Sequence, residues 1–206
     1  SKITKELLYE CYETFYHPSN MLLFIVGAVN PEEMMELVRK NQAGKPYDKQ
    51  APIKRFYPEE PETVAQKRSV VHLPVGIPKC LFGFKDKRAG LIGEELVKRE
   101  VATEILLDIL FSPSSDLYQK LYDAGLINNG FSADYSGEPQ YGFSIIGGDT
   151  KDPDALVSMV ESELKNVLAR GVDEESFMLS KKKKTGEFLR ALNSVEFIAN
   201  SFTKYR

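Results

Sequence analysis

The run Met21 to Val26 is the longest unbroken apolar stretch in the chain. Six residues drawn from Met, Leu, Phe, Ile and Val predict a strand covered on both faces rather than an amphipathic one. Stop and start signals flank it. Pro18 lacks an N–H and biases His17 away from helical geometry, so the helical spacing of Leu7, Leu8, Cys11, Tyr12 and Phe15 predicts a helix over Ile3 to Tyr16 that ends there. Downstream, Asn30 is placed to cap, Pro31 takes the first helical position, and Glu33 stands where a capping box has its acid. A second helix is predicted from Pro31 to Gln42, with Gly44 as a left-handed cap.

The pattern then changes. From Ala43 to Gln66 the chain carries Pro46, Pro52, Pro58 and Pro61 among charges and reads as an exposed linker. Beyond it, Ser69 to Pro74 and Lys79 to Lys85 are predicted strands around a Val75-Gly-Ile-Pro78 turn. Leu91 to Phe111 is the longest periodic segment, with Ile92, Leu96, Val97, Val101, Ile105, Ile109 and Leu110 predicted as the face of a central helix. Ser112 to Ser115 interrupts it, and a shorter helix is expected to Ala124, ended by Gly125. Asn129 to Ser136 and Tyr141 to Gly147 predict a β-hairpin. Asp152-Pro153 repeats the cap-and-proline device ahead of a helical stripe from Leu156 to Leu168. Asp173 caps another helix to about Leu192, and a last one runs from Val195 to Tyr205. The fold class expected is α+β: a mainly antiparallel sheet with helices on one face, preceded by a helix-strand-helix piece of a neighbouring domain. The expected divisions are 1–42 for that piece, 43–66 for the linker and 67–206 for the second domain.

Composition narrows the function classes. In 206 residues, 42% apolar and 28% charged is globular, and a net charge of −3 argues against nucleic acid as a partner, since phosphate binding needs a concentrated basic surface. The run Lys181 to Lys184 is the one basic cluster, and on a helix its side chains point all round, as on a solvated surface. No apolar run approaches the ~20 residues that span a bilayer, so no membrane helix is expected. Cys11 and Cys80 are too few for a disulfide framework, which makes a reducing, cytoplasmic setting the expectation. The chain opens on Ser1 without a secretion signal, and Ser1 reads as the edge of an excised piece.

Candidate chemistry is sparse. A catalytic zinc needs three protein ligands and an open position, whereas the chain has two histidines, His17 and His72. Cys11 and His17 fall on different sides of one helix, and His72 and Cys80 lack nearby carboxylates, so no intrinsic metal site is expected. Gly147-Gly148-Asp149 lacks the strand-to-helix glycine pattern of a phosphate cradle and reads as a strand end.

Two stretches together resemble the insulinase or pitrilysin-like zinc peptidases, which carry an inverted His-x-x-Glu-His motif. One is Phe15-Tyr-His-Pro-Ser-Asn-Met with the apolar strand to Val26-Gly27 and Asn30-Pro-Glu-Glu33. The other is Ser114 to Ile127, similar to the helix before a Gly-Leu turn in the family's non-catalytic half. The resemblance implies a parent of two similar halves around a chamber, with the zinc motif upstream of Ser1. No cofactor is expected in this chain, and zinc is implied for the parent. In the family an Arg and a Tyr flanking the turn can hold substrate or a developing oxyanion. Here those places carry Tyr122 and Ile127 or Asn128, and Tyr122 and Asn128 are the candidate substrate contacts, with no catalytic residue. The implied partners are a peptide or small protein substrate and the catalytic half, or an active homologous subunit if the parent is a scaffold that has lost catalysis. An apolar strand such as Met21 to Val26 needs backbone partners. It is therefore expected to pair with the open edge of the second unit, in the same chain or, by exchange, in a homodimer.

Overall fold

The computed structural model describes residues 3–49, 51–54, 56–87 and 90–204. The chain divides into two compact units, one made of 1–56 with 189–206 and the other of 57–188.

In the first unit, helix α1 (Lys5–Phe15) is capped by the Thr4 hydroxyl, which accepts from the Leu7 N–H. A short 3-10 turn over Pro18–Asn20 follows the proline stop. Helix α2 (Pro31–Ala43) starts as the cap signal requires, with Asn30 Oδ1 accepting from the N–H groups of Glu32 and Glu33. Gly44 closes it at φ −87°, a right-handed value, because the exit is a tight turn in which the Lys45 N–H donates to Gln42. Helix α7 (Val195–Lys204) belongs to this unit and stacks Phe202 on Phe24, with ring centroids 4.2 Å apart. The segment 21–26 forms no strand, which corrects the expectation of pairing within this chain. Its residues Met21 and Leu23 are 57% and 65% exposed.

The second unit is built on a three-stranded antiparallel sheet in the order β1-β3-β2, with β1 at Lys79–Phe82, β2 at Ser132–Gly137 and β3 at Gly142–Asp149. The predicted hairpin is β2–β3, in register from Ser132 opposite Gly147 to Gly137 opposite Gly142. Strand β1 joins the other side of β3, from Lys79 opposite Asp149 to Phe82 opposite Ile146. Ser69 to Pro74 is not a strand: Val70, Val71 and Leu73 are exposed, and the neighbours β1 would have taken from a local hairpin come from β3 instead.

Alternation sorts the sheet into two faces. Cys80, Phe82, Ala133, Tyr135 and Ile146 share the inner one, covered by α3 (Gly93–Phe111), α4 (Asp116–Asp123) and α5 (Pro153–Arg170). The core is Leu107, Leu110 and Phe111 from α3, Leu117, Tyr118 and Leu121 from α4, and Leu156 and Val160 from α5, closed around Ile146. Burial on α3 is concentrated in its second half, and Ile92 and Val101, predicted for the apolar face, are exposed. The first half is held by polar contacts instead. Arg99 makes a two-pronged ion pair with Asp86 at 2.8 and 2.9 Å, and the Tyr135 hydroxyl donates to the same carboxylate at 2.9 Å. The Asp86 side chain is 6% exposed, and both partners donate to its carboxylate, which offsets the cost of burying it. Burial raises the Tyr135 pKa, the bond to Asp86 and its charge add to the rise, and Arg99 pulls the other way.

Helix α6 (Glu174–Ala191) corrects the reading of the lysine run as merely solvated. Lys183 and Lys184 reach Asp108 and Glu104 on α3 at 2.5 and 3.4 Å, while Ser180 donates to Asp108 at 2.8 Å. The last predicted helical residue, Tyr205, lies outside the described residues.

Two outcomes follow from this packing. A Cβ built at Gly83 meets the Ser144 carbonyl oxygen at 1.7 Å, so Gly83→Ala is expected to lower stability by about 1–3 kcal/mol, read as a lower urea midpoint. Tyr135→Phe removes a donor to a buried carboxylate and should cost about 1.5–3 kcal/mol. Because the folded-state pKa of Tyr135 is raised, its contribution is complete below the unfolded value near 10 and is lost as pH rises through the higher folded value. Urea midpoints at neutral and strongly alkaline pH should therefore converge between wild type and Tyr135→Phe as pH rises, and a constant gap would refute the coupling.

Candidate functional site

The sheet's outer face is open to solvent where Leu81 and Ile145 stand. By register it carries Leu81, Gly147 and Ile145, and the isolated bridge between Lys85 and Phe143 extends it beyond β1. Leu81 is 62% exposed although it lies in the middle of a strand. Together with Phe84 and Tyr141 these side chains floor a groove of about 570 Å³, which Glu60 and Val64 of the preceding segment border. Tyr141 stacks on Phe143 at 6.0 Å, giving the floor a flat aromatic end. Gly83 is what lets the chain beyond β1 lie against β3: at this position no side chain fits over the Ser144 carbonyl. The groove lining is largely apolar, with Glu60 and Lys85 as its charged residues, and these two side chains pair at 2.5 Å. Its apolar lining suits a ligand with apolar side chains better than a compact polar one.

The sequence-predicted contacts lie elsewhere. Tyr122 is at the end of α4, about half exposed, and stacks on Tyr118 at 6.3 Å. Its carbonyl accepts from the Gly125 N–H while Leu126 N–H donates to Leu121, a pair of bonds in which Gly125 takes φ +67°. That turn buries Leu126 against Leu121. Asn128 is exposed, and its Oδ1 accepts from the Gly130 N–H at 2.8 Å, shaping the loop that delivers Phe131 to the core. Neither residue lines the groove. The groove residues were missed because each sits in an element predicted for its fold role. The usable signal was alternation in Tyr141 to Gly147, where Phe143 and Ile145 alternate with Ser144 and Ile146 so that both faces carry apolar groups.

The zinc that the resemblance implies does not fit the donors present. Among the described residues no group of three or more His, Cys, Asp and Glu stands close enough to hold a metal ion. His17 is engaged locally: Nε2 donates to the Asp48 carbonyl at 2.9 Å and Nδ1 accepts from the Ser19 N–H. Cys11 and Cys80 are free thiols, and burial raises the Cys80 pKa, with Arg68 opposing and Asp154 adding to the shift. Among the described residues no helix is long and apolar enough to cross a membrane.

Comparison with known proteins places this geometry. A family model described as the peptidase M16 inactive domain matches residues 2–184. The chain is 50% identical over 207 residues to a Bacillus subtilis protein described as the uncharacterized zinc protease YmfH, covering 100% of this chain and 48% of that protein. A crystal structure of an M16-like peptidase from Alicyclobacillus acidocaldarius superposes with a TM-score of 0.88 at 42% identity, over 98% of this chain and 48% of that one. The fold is shared with a protease from Helicobacter pylori, with a TM-score of 0.80 at 20% identity over 99% of this chain and 49% of that chain. The chain thus spans about half the length of the relatives it matches.

Leu81 and Ile145 are surface residues by this account despite lying in strands. Leu81→Thr is expected to shift stability by no more than about 0.5 kcal/mol, against about 2–5 kcal/mol for Leu121→Ala in the core, both read by urea unfolding.

Proposed function

Since the chain belongs to the peptidase M16 inactive-domain family, we propose that it serves as the non-catalytic half of a two-lobed zinc peptidase, enclosing and positioning a peptide while the other half carries the metal. The observation that carries this reading is the match across 2–184, supported by the lack of a metal-donor cluster among the described residues and by an apolar groove on the sheet. In such an enzyme the contribution of this lobe is to hold substrate and exclude water. Tyr122 and Asn128 enter the proposal as contacts on the rim rather than on the groove floor. Tyr122 offers a hydroxyl but no fixed charge, so it orients substrate without supplying the cation that the family's usual Arg would.

The exposed apolar segments support a covering partner. Met21 to Val26 and Val70 to Leu73 have strand composition, with Met21, Leu22, Leu23, Ile25, Val70, Val71 and Leu73 open to solvent, and surfaces of this kind mark sites of association. The partner proposed is the catalytic half. Exchange of 21–26 between two copies is the competing way to cover the same residues. A scaffold subunit paired with an active relative is the alternative function, favoured by Tyr122 and Asn128 standing in place of Arg and Tyr. A cytoplasmic setting is part of the reading and is supported by the two unpaired thiols.

The chain purified by itself is expected to contain far less than one zinc per chain after metal-free purification, to hydrolyse no peptide, and to sediment at its monomer mass of 23.3 kDa. Chelator-sensitive proteolysis by the chain alone would overturn the assignment, and a stable dimer would move the covering of 21–26 to strand exchange. An intact inverted zinc motif in the remainder of the polypeptide selects the peptidase over the scaffold, and its loss selects the scaffold.

A further inference from the structure

Asn129-Gly130 is the one Asn-Gly pair in the sequence, and it lies in the exposed turn between α4 and β2. Asparagine before glycine is chemically fragile, because no Cβ hinders the glycine nitrogen from reaching the asparagine side chain. The backbone does not call for glycine here. Gly130 is not among the glycines at positive φ, and a Cβ built on it would meet only Asn128 Oδ1 within 4 Å, at 3.1 Å. What the turn supplies is a restraint on that nitrogen. The Gly130 N–H donates to Asn128 Oδ1 at 2.8 Å and the Phe131 N–H donates to the Asn128 carbonyl at 3.1 Å, so Asn128 closes the turn with both side chain and main chain. Phe131 comes next and is 6% exposed, its ring centroid 6.2 Å from Phe111 and 6.1 Å from Tyr118. An open, reactive pair thus stands directly against the core. The two Asn-Ser pairs are placed differently: the Ser194 N–H donates to the Ala191 carbonyl at 2.9 Å, and Ser201 lies within α7.

We propose that Asn129 is a site of spontaneous deamidation, that the Asn128 carboxamide is the restraint that slows it, and that conversion loosens the core at Phe131. In the first step hydroxide takes the Gly130 amide proton and the nitrogen attacks Asn129 Cγ. The N–Cγ bond forms, the Cγ–Nδ2 bond breaks and ammonia leaves, giving a cyclic imide. Water opens the ring at either carbonyl. The product is aspartate or isoaspartate, the latter carrying an extra main-chain methylene just ahead of Phe131. While Asn128 Oδ1 holds the Gly130 proton, the nitrogen is kept from losing it and from turning toward Cγ. This inference stands apart from the peptide-lobe reading, and its failure would leave that reading untouched.

The test incubates the whole chain at neutral pH and physiological temperature and maps the amide-to-acid mass gain by fragmentation of the tryptic peptide 121–151. Conversion is expected at Asn129 ahead of Asn193 and Asn200. Asn128→Ala should convert about fivefold faster than wild type, the factor carried by one net hydrogen bond of ordinary strength. Asn128→Asp keeps an acceptor oxygen and should convert no faster than wild type. Circular dichroism identical to wild type confirms that each variant is folded. A second measurement needs no variant: the Gly130 amide of the wild-type chain should exchange with solvent at least about fivefold more slowly than in a free peptide of residues 126–132. The isoaspartyl form, separated by ion exchange, should unfold at a lower urea midpoint. Equal conversion of wild type and Asn128→Ala, a Gly130 amide exchanging as freely as in the peptide, or earlier conversion at another asparagine overturns the proposal. An isoaspartyl form with the wild-type midpoint overturns its link to the core.

Discussion

Burial of one face of β3 is the constraint from which the rest of the second unit follows. This strand takes β1 on one side and β2 on the other, and its Ile146 is fully enclosed together with Leu121, Leu156 and Val160. Three helices are spent covering that face. With period-two alternation, every residue between the buried ones must point the other way, so Leu81, Phe143 and Ile145 form an outer surface on which Leu81 and Ile145 stay exposed. The groove is thus a consequence of a sheet covered on one side, and its apolar character is the feature that calls for a function.

Polar contacts fix how the helical layer sits on the sheet. Asp86 gathers Arg99 from α3 and Tyr135 from β2 at one buried point, and Asp108 and Glu104 on α3 receive Ser180, Lys183 and Lys184 from α6. On α5, Glu163 is paired with Arg170 at 3.1 Å and Lys120 of α4 at 3.6 Å. Buried carboxylates with several donors are costly to disrupt and specify geometry more than they add net stability.

The exposed apolar residues of the first unit bear on function in a different way. Helix α1 has no buried residue, and its Leu8, Tyr9 and Tyr12 are all open. Such a helix gains stability from packing rather than from propensity alone, and the extended segment beside it has backbone groups that seek partners. The relatives this chain matches are about twice its length.

Much of the architecture was legible in local patterns. Caps at Asn30, Ser115 and Asp152, the proline stop at Pro18 and the glycine exit at Gly125 each act within a few residues, and local hydrogen bonding and backbone geometry are what sequence spacing encodes directly. The β2–β3 hairpin was legible for the same reason. The partner of β1 was not, because pairing between residues 64 to 70 positions apart depends on global closure rather than on any local signal. That is also why Ser69 to Pro74 and Met21 to Val26 read as strands yet stand unpaired: composition declares that a segment suits a sheet, and only the assembled fold decides whether an edge is there to receive it. The Asp86, Arg99 and Tyr135 contact, and the pairing of Lys85 with Glu60, belong to the same category. Sequence by itself determined the kind of elements and the poverty of metal donors, through short-range chemistry and residue count. Tertiary structure decided which faces meet and which remain open, through contacts between residues far apart in the chain.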